Sequence, residues 1–161
     1  MADPHSIDFP GDPRHPQHPE FLAALGEATY AASRVAGICF DVLRVLASAK
    51  SQDMYNDPLG KLETRLRGLL NRDPSIPHLA DFHSLLGPAR DTRNDLLHAL
   101  PVKDGLHRRK ANDATQVRNF YTVEDLKAAT AELDAVWKKG SNVLYADEGS
   151  SVQAWYLAGG S

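Results

Sequence analysis

Residues 20–50 read EFLAALGEATYAASRVAGICFDVLRVLASAK, and the spacing of their apolar side chains decides the fold. Phe21, Leu22, Leu25, Ala28, Ala32, Val35, Cys39, Val42, Leu43 and Leu46 recur at steps of three and four. That spacing is the mark of a long amphipathic helix with one buried stripe. The same stretch is the best candidate for a membrane span, but Arg34, Asp41 and Arg44 interrupt it.

Downstream, Asp57-Pro58 offers an N-cap followed by proline at the first helical position. Leu59, Leu62, Leu66, Leu69 and Leu70 then mark a second amphipathic helix, and Asn71 to Pro77 reads as a turn. Ile76, Leu79, Phe82, Leu85 and Leu86 predict a shorter third helix that stops at Gly87-Pro88. Pro88 opens a fourth, which Pro101 closes just after Leu100. Residues 101–121 read as an irregular, basic connection, because no strand shows convincing alternation. Thr122 caps a last long helix, with Asp125 placed as in a capping box. Val123, Leu126, Ala129, Leu133, Val136, Trp137, Val143 and Leu144 form its buried face, and Gly140 is expected to weaken it locally. A Gly/Ser-rich tail follows, carrying Trp155, Tyr156 and Leu157.

Upstream, Pro4, Pro10, Pro13, Pro16 and Pro19 prevent regular structure. Residues 1–19 are therefore read as a disordered arm, whose His5, His15 and His18 are solvated rather than metal-bound. The expected organisation is an arm over 1–19, one helical domain over 20–146 and a tail over 147–161. The fold class is all-α, a bundle of four to five helices.

Composition agrees with one domain: 161 residues, 42% hydrophobic, can enclose a core. The formal charge of −3 exerts no global pull toward nucleic acid or anionic membrane, so either partner needs a local patch. Cys39 is the only cysteine, which excludes an internal disulfide and suits a reducing compartment. Its place on the apolar stripe makes it a core thiol rather than a nucleophile. The N-terminus lacks the basic-then-apolar order of a signal peptide, and with no membrane span the expected location is the cytoplasm.

The stretch from Pro88 to Leu100 carries the one unusual arrangement. At 3.6 residues per turn, Ala89, Thr92, Leu96, Leu97 and Leu100 share an apolar arc. Arg93 falls inside that arc. Arg90, Asn94 and His98, spaced four apart, line up beside it, while Asp91 and Asp95 point further out. An arginine in an apolar stripe must snorkel, be paired or serve a function. A salt bridge to a carboxylate on another helix explains it blandly, with His98 a surface residue. Phosphate chemistry explains it functionally. Arginine is a planar fork of donors for phosphate oxygens, histidine titrates near neutral pH, and asparagine between them can orient either group.

The segment Arg93-Asn94-Asp95-Leu96-Leu97-His98 resembles the Arg-(four to six residues)-His motif of HEPN ribonuclease domains, including the polar residue after the arginine. Its place is similar too: late in a helix, after a long helical hairpin and before another long helix. The resemblance spans residues 20–146 in architecture and this short stretch alone in motif. It implies a HEPN-like bundle with Arg93, Asn94 and His98 as catalytic residues. It further implies a cytoplasmic, metal-independent and cofactor-free endoribonuclease that works as a homodimer on RNA, often in toxin–antitoxin or antiviral defence systems. An antitoxin or a larger effector protein is the further partner implied. Arg72 to His78 fits the spacing as well, but Pro74 and Pro77 make that stretch a turn, so helical context separates the two. Members controlled by a partner nucleotidyltransferase carry a tyrosine two residues past the histidine. Leu100 stands there, which puts that mode of control in doubt.

Attack of a 2′-hydroxyl on the adjacent phosphate needs a base, an acid and a cation for the phosphorane. One copy of the motif supplies one histidine, so a twofold dimer must bring two His98 and two Arg93 side chains to one cleft. The apolar surface near Leu97 and Leu100 would serve that contact. Arg93 then stabilises charge, His98 moves protons, Asn94 orients, and Arg90 is an extra phosphate contact. Between residues 103 and 118, Lys103, Arg108, Arg109, Lys110 and Arg118 oppose Asp104 and Asp113, five against two, an excess of +3. Arg108, Arg109 and Lys110 are thus candidate contacts to the RNA backbone, although a solvated loop has the same composition. Phe120 and Tyr121 adjoin the next helix and are expected to pack there rather than stack on bases. His78 and His83 are five apart, share no helical face well and are not read as metal ligands. The competing class is a non-catalytic HEPN-like scaffold or a module that binds a ligand or partner.

Overall fold

The computed structural model describes residues 19–49, 51–102, 105–110 and 112–160. The arm through His18, and Lys103 and Asp104 of the basic connection, lie outside the described residues. The chain forms helices α1 (Pro19–Leu46), α2 (Leu59–Arg72), α3 (Leu79–His98), α4 (Val123–Tyr145) and a short α5 (Ser151–Leu157). Strands β1 (Leu100–Val102), β2 (Gly105–Lys110) and β3 (Asp113–Tyr121) lie between α3 and α4. It is a helical bundle with one small sheet. Among the described residues no helix is long and apolar enough to cross a membrane.

The stripe on α1 is buried as its spacing predicts, with Ala28, Val35, Cys39 and Val42 fully covered. Its main partner is α4. Lys127 meets Glu20 at 2.9 Å, Arg34 meets Asp134 at 2.9 Å, and Ile38 lies against Gly140. Rising numbers on one helix meet rising numbers on the other, so α1 and α4 run in the same direction. Arg34 also lies over the Trp137 ring, 3.8 Å from its centroid, which covers the indole with a flat cation. Helix α3 crosses α4 the other way, with Phe82 beside Gly140 and Thr92 beside Ala128 and Ala129.

Gly140 has a reason that its helix propensity hides. A Cβ there would stand 2.8 Å from Ile38 Cγ1 and from two atoms of the Phe82 ring. Helices α1, α3 and α4 meet at this residue, and glycine leaves them room.

Three expectations need correction. The third and fourth helices are one, α3, with Pro88 inside it. Gly87 does not adopt the left-handed φ that ends a helix. An internal proline costs roughly 3 kcal/mol, yet Leu79, Phe82, Leu86, Ala89 and Leu96 bury one continuous face that a break would split. At α2, Pro58 is itself the N-cap and no side chain caps the helix. Asp57 instead binds Lys61 Nζ at 2.7 Å and Arg65 Nε at 2.9 Å, and these cations, Lys61 foremost, hold its carboxyl below the usual range.

The third correction concerns the described residues of 101–121, which are not irregular. They complete an antiparallel sheet in the order β1-β2-β3. Leu100 pairs with His107, and His107 with Phe120; Leu106 pairs with Tyr121, and Arg108 with Asn119. Two irregularities follow Arg108 and Arg109. Thr122 and Asp125 form the expected capping box, with the Thr122 amide donating to Asp125 Oδ2 at 2.9 Å and the Asp125 amide to Thr122 Oγ1 at 3.3 Å. In the tail, α5 brings Trp155 edge-on to Tyr156 and beneath Arg44, 5.1 Å from the guanidinium.

Candidate functional site

The last two turns of α3 hold Arg93, Asn94 and His98, and the sheet folds back against them. Arg93 and Asn94 are half-buried, and His98 is exposed on the final turn. Arg93 Nη1 donates to Asn94 Oδ1 at 3.4 Å, a long bond. Among the described residues no carboxylate pairs with Arg93.

Its neighbours are different. Arg90 Nη1 donates to Glu63 Oε2 at 2.7 Å, and Arg90 also meets Asp91 at 3.2 Å. Glu63 is buried on α2, so Arg90 ties α3 to α2 and its fork is already engaged. The Cys39 thiol also lies within reach of Glu63; burial first, and the Glu63 charge second, push it far above its ordinary value. A thiol so shifted offers no thiolate.

Arg108 is engaged at the same end of α3. Its Nη1 donates to the His98 carbonyl oxygen at 3.2 Å, and its Nε stands 3.6 Å from Asp95 Oδ1. A cation on the terminal carbonyls of a helix satisfies a free acceptor and complements the dipole. Lys110 reaches Gln116 Oε1 at 2.6 Å, and Arg109 lies beside it on β2, opposite Val117.

Asp95 is the residue that spacing misplaced. It does not point outward; it is 3% exposed. Asn119 Nδ2 donates to Asp95 Oδ2, and Arg118 Nε lies 3.7 Å from the same oxygen. One buried carboxylate thus joins the helix to two strands. Tyr121 senses it: burial first, and the Asp95 charge second, hold the phenol above its ordinary value. The clue in the sequence is positional. Thr92 and Ala99, one turn either side of Asp95, are small, as the inner wall of a covered site must be.

No family model, no curated protein and no solved structure matches the chain. The site is therefore read from its own geometry. It brings Arg93, Asn94, His98 and Arg108 to one end of α3, and leaves Arg90 on the side of α2. It also adds Asp95 and Asn119, which spacing did not single out.

Proposed function

We propose that the chain is a metal-independent endoribonuclease of the HEPN type, cutting RNA by 2′-hydroxyl attack in a cleft formed by two copies. Arg93 carries the reading. Arg108 and Arg118 at this end of α3, and Arg90 on the side of α2, each meet a carboxylate, whereas Arg93 meets none among the described residues. A half-buried guanidinium left without its counter-charge is suited to an anion that arrives with substrate. His98, exposed four and five residues on from Asn94 and Arg93, is free to move protons. Two copies supply the acid and the base, and the exposed Leu97 and Leu100 supply apolar surface for their contact. A place in a cytoplasmic toxin–antitoxin or antiviral system, with an antitoxin or larger effector as partner, belongs to the same proposal through the motif's resemblance.

The test is cleavage of RNA by the purified chain in EDTA, wild type beside Arg93→Ala and His98→Ala. Cleavage by the wild type, lost at least a hundredfold in both variants, is expected. Cleavage that survives both substitutions removes the assignment.

A second reading has its own observation. A groove of about 380 Å³ runs between α3 and α4, walled by Leu85, Pro88, Ala89, Leu133 and Val136. Apolar grooves of this size take ligands or partner segments, which favours a non-catalytic module. A stable fold that cuts no RNA would select it.

A further inference from the structure

The groove between α3 and α4 does not stop at its apolar walls. Thr92 and Glu132 line it and also line a second cleft of about 280 Å³, which Phe120, Asp125 and Ala128 complete. The two spaces thus form one channel with an apolar end and an acidic end. At the acidic end Asp125 accepts the Thr122 amide and hydroxyl, and both bonds use Oδ2, so neither takes Oδ1. Those bonds hold the Asp125 carboxyl below its usual range and keep it charged. Glu132 is exposed and pairs with no cation among the described residues. Phe120, expected to pack on the following helix, lines this end with 45% of its surface exposed. An occupant of the whole channel therefore needs a cation at one end and apolar side chains at the other.

Residues 1–18, which precede α1 and lie outside the described residues, carry that order. Nearest α1, residues 13–18 hold Arg14, His15 and His18 and no acid, and further out stand Ile7, Phe9 and Pro10. Spacing agrees. From Ala128 to Val136 the channel follows α4 for about 12 Å, at about 1.5 Å per residue. Phe9 and Arg14 are five residues apart, about 16 Å in a proline-rich chain that rises about 3.1 Å per residue. The point of attachment agrees as well. Lys127 meets Glu20 at 2.9 Å, which fixes the start of α1 beside the early turns of α4. Lys127 stands roughly 150° around α4 from the residues that line the acidic end, at about 100° per residue. The face between them is kept low by the exposed Ala131 and Ala135. On a helix about 10 Å across, that arc is roughly 13 Å. Arg14 lies five residues ahead of Pro19, again about 16 Å of chain, so the acidic end is within its reach.

We propose that residues 7–14 of the chain's own arm occupy this channel, with Arg14 between Asp125 and Glu132 and Phe9 against Leu85, Leu133 and Val136. Covalent attachment makes the docking intramolecular, so a weak contact is enough to fill the channel. Pro10 and Pro13 fix φ along the docked stretch and lower the entropy lost on ordering it. Asp8, between Ile7 and Phe9, falls on the opposite side of an extended chain and faces solvent. Arg93 and His98 line neither space, so the docking stands or falls apart from the ribonuclease reading.

The test is methyl NMR of the full chain. Phe9→Ala and Arg14→Glu, both in the arm and outside the core, are each expected to move the methyl resonances of Leu85, Leu133 and Val136. Those of Leu62 and Leu66 on α2, which line no part of the channel, should stay where they are. Glu132→Arg alone should also move the channel resonances, and Glu132→Arg joined to Arg14→Glu should return them, because the exchange restores an opposite-charge pair. Channel resonances unchanged by Phe9→Ala overturn the docking. So does a double variant whose shifts are the sum of the single ones. Wild-type channel resonances that move on dilution overturn it too, since a second copy would then fill the channel.

Discussion

At Gly140 two effects of one methyl group oppose each other. Alanine is favoured over glycine inside a helix by about 1 kcal/mol. The same methyl would stand 2.8 Å from Ile38 and Phe82, both buried and unable to retreat, and overpacking costs about 1–3 kcal/mol. Gly140→Ala should therefore lose about 1 kcal/mol and lower Tm by about 2–4 °C. Gly37→Ala on α1, where a Cβ meets open space, should gain up to about 1 kcal/mol. Thermal unfolding of the pair checks both signs, and a higher Tm for Gly140→Ala would mean that the helices do not meet there. Asp95 makes the complementary case. Asp95→Ala removes an acceptor from Asn119 and the counter-charge of Arg108 and Arg118; with both arginines partly solvated, the loss should be about 2 kcal/mol in urea unfolding. Gly140 does not announce its role in sequence, and only small neighbours hint at that of Asp95, because each is defined by what another element brings to it.

Elements were legible in proportion to how far the core dictated them. The stripes on α1, α2 and α4 alternate at the helical period because one face of each meets the core. The Thr122 cap was legible because its partner is three residues away. The sheet was not, since its inner face carries Arg108 and Asn119 for a buried carboxylate, so inward positions look as polar as outward ones. Pro88 misled in the opposite sense, through a local rule that burial of α3's long face overrides. Pro88→Ala restores a backbone donor and removes the ring's clash, at the expense of a more disordered unfolded chain. A net gain of about 1–2 kcal/mol is expected in thermal unfolding, and a loss would mean that α3 needs the proline. For the sheet, the measurement is pH. With its pKa held below the ordinary value, His107 resists protonation in the fold and accepts it when unfolded. The unfolded state then binds more protons, so stability present above about pH 6.5 is lost as pH falls through the folded pKa. His107→Gln should remove that acid-side loss, and an unchanged profile would move its source to another group.

At the scale of the whole molecule, the proposed chemistry is incomplete in one copy. The motif supplies one exposed histidine, and 2′-hydroxyl attack with departure of the 5′-oxygen calls for two proton transfers. Leu97 lies beside His98, 48% exposed and outside the core, so it can be changed without disturbing the fold. Light scattering of the wild type should give twice the 17.6 kDa of the chain. Leu97→Glu, which sets two like charges against each other across a twofold contact, should give a 17.6 kDa species with an unchanged helical spectrum and no RNA cleavage. A monomeric Leu97→Glu that still cuts RNA would overturn the composite site. The second proton-transfer group would then have to come from the same chain, and His107, neutral and joined to the His98 turn through Arg108, would be the residue to replace next.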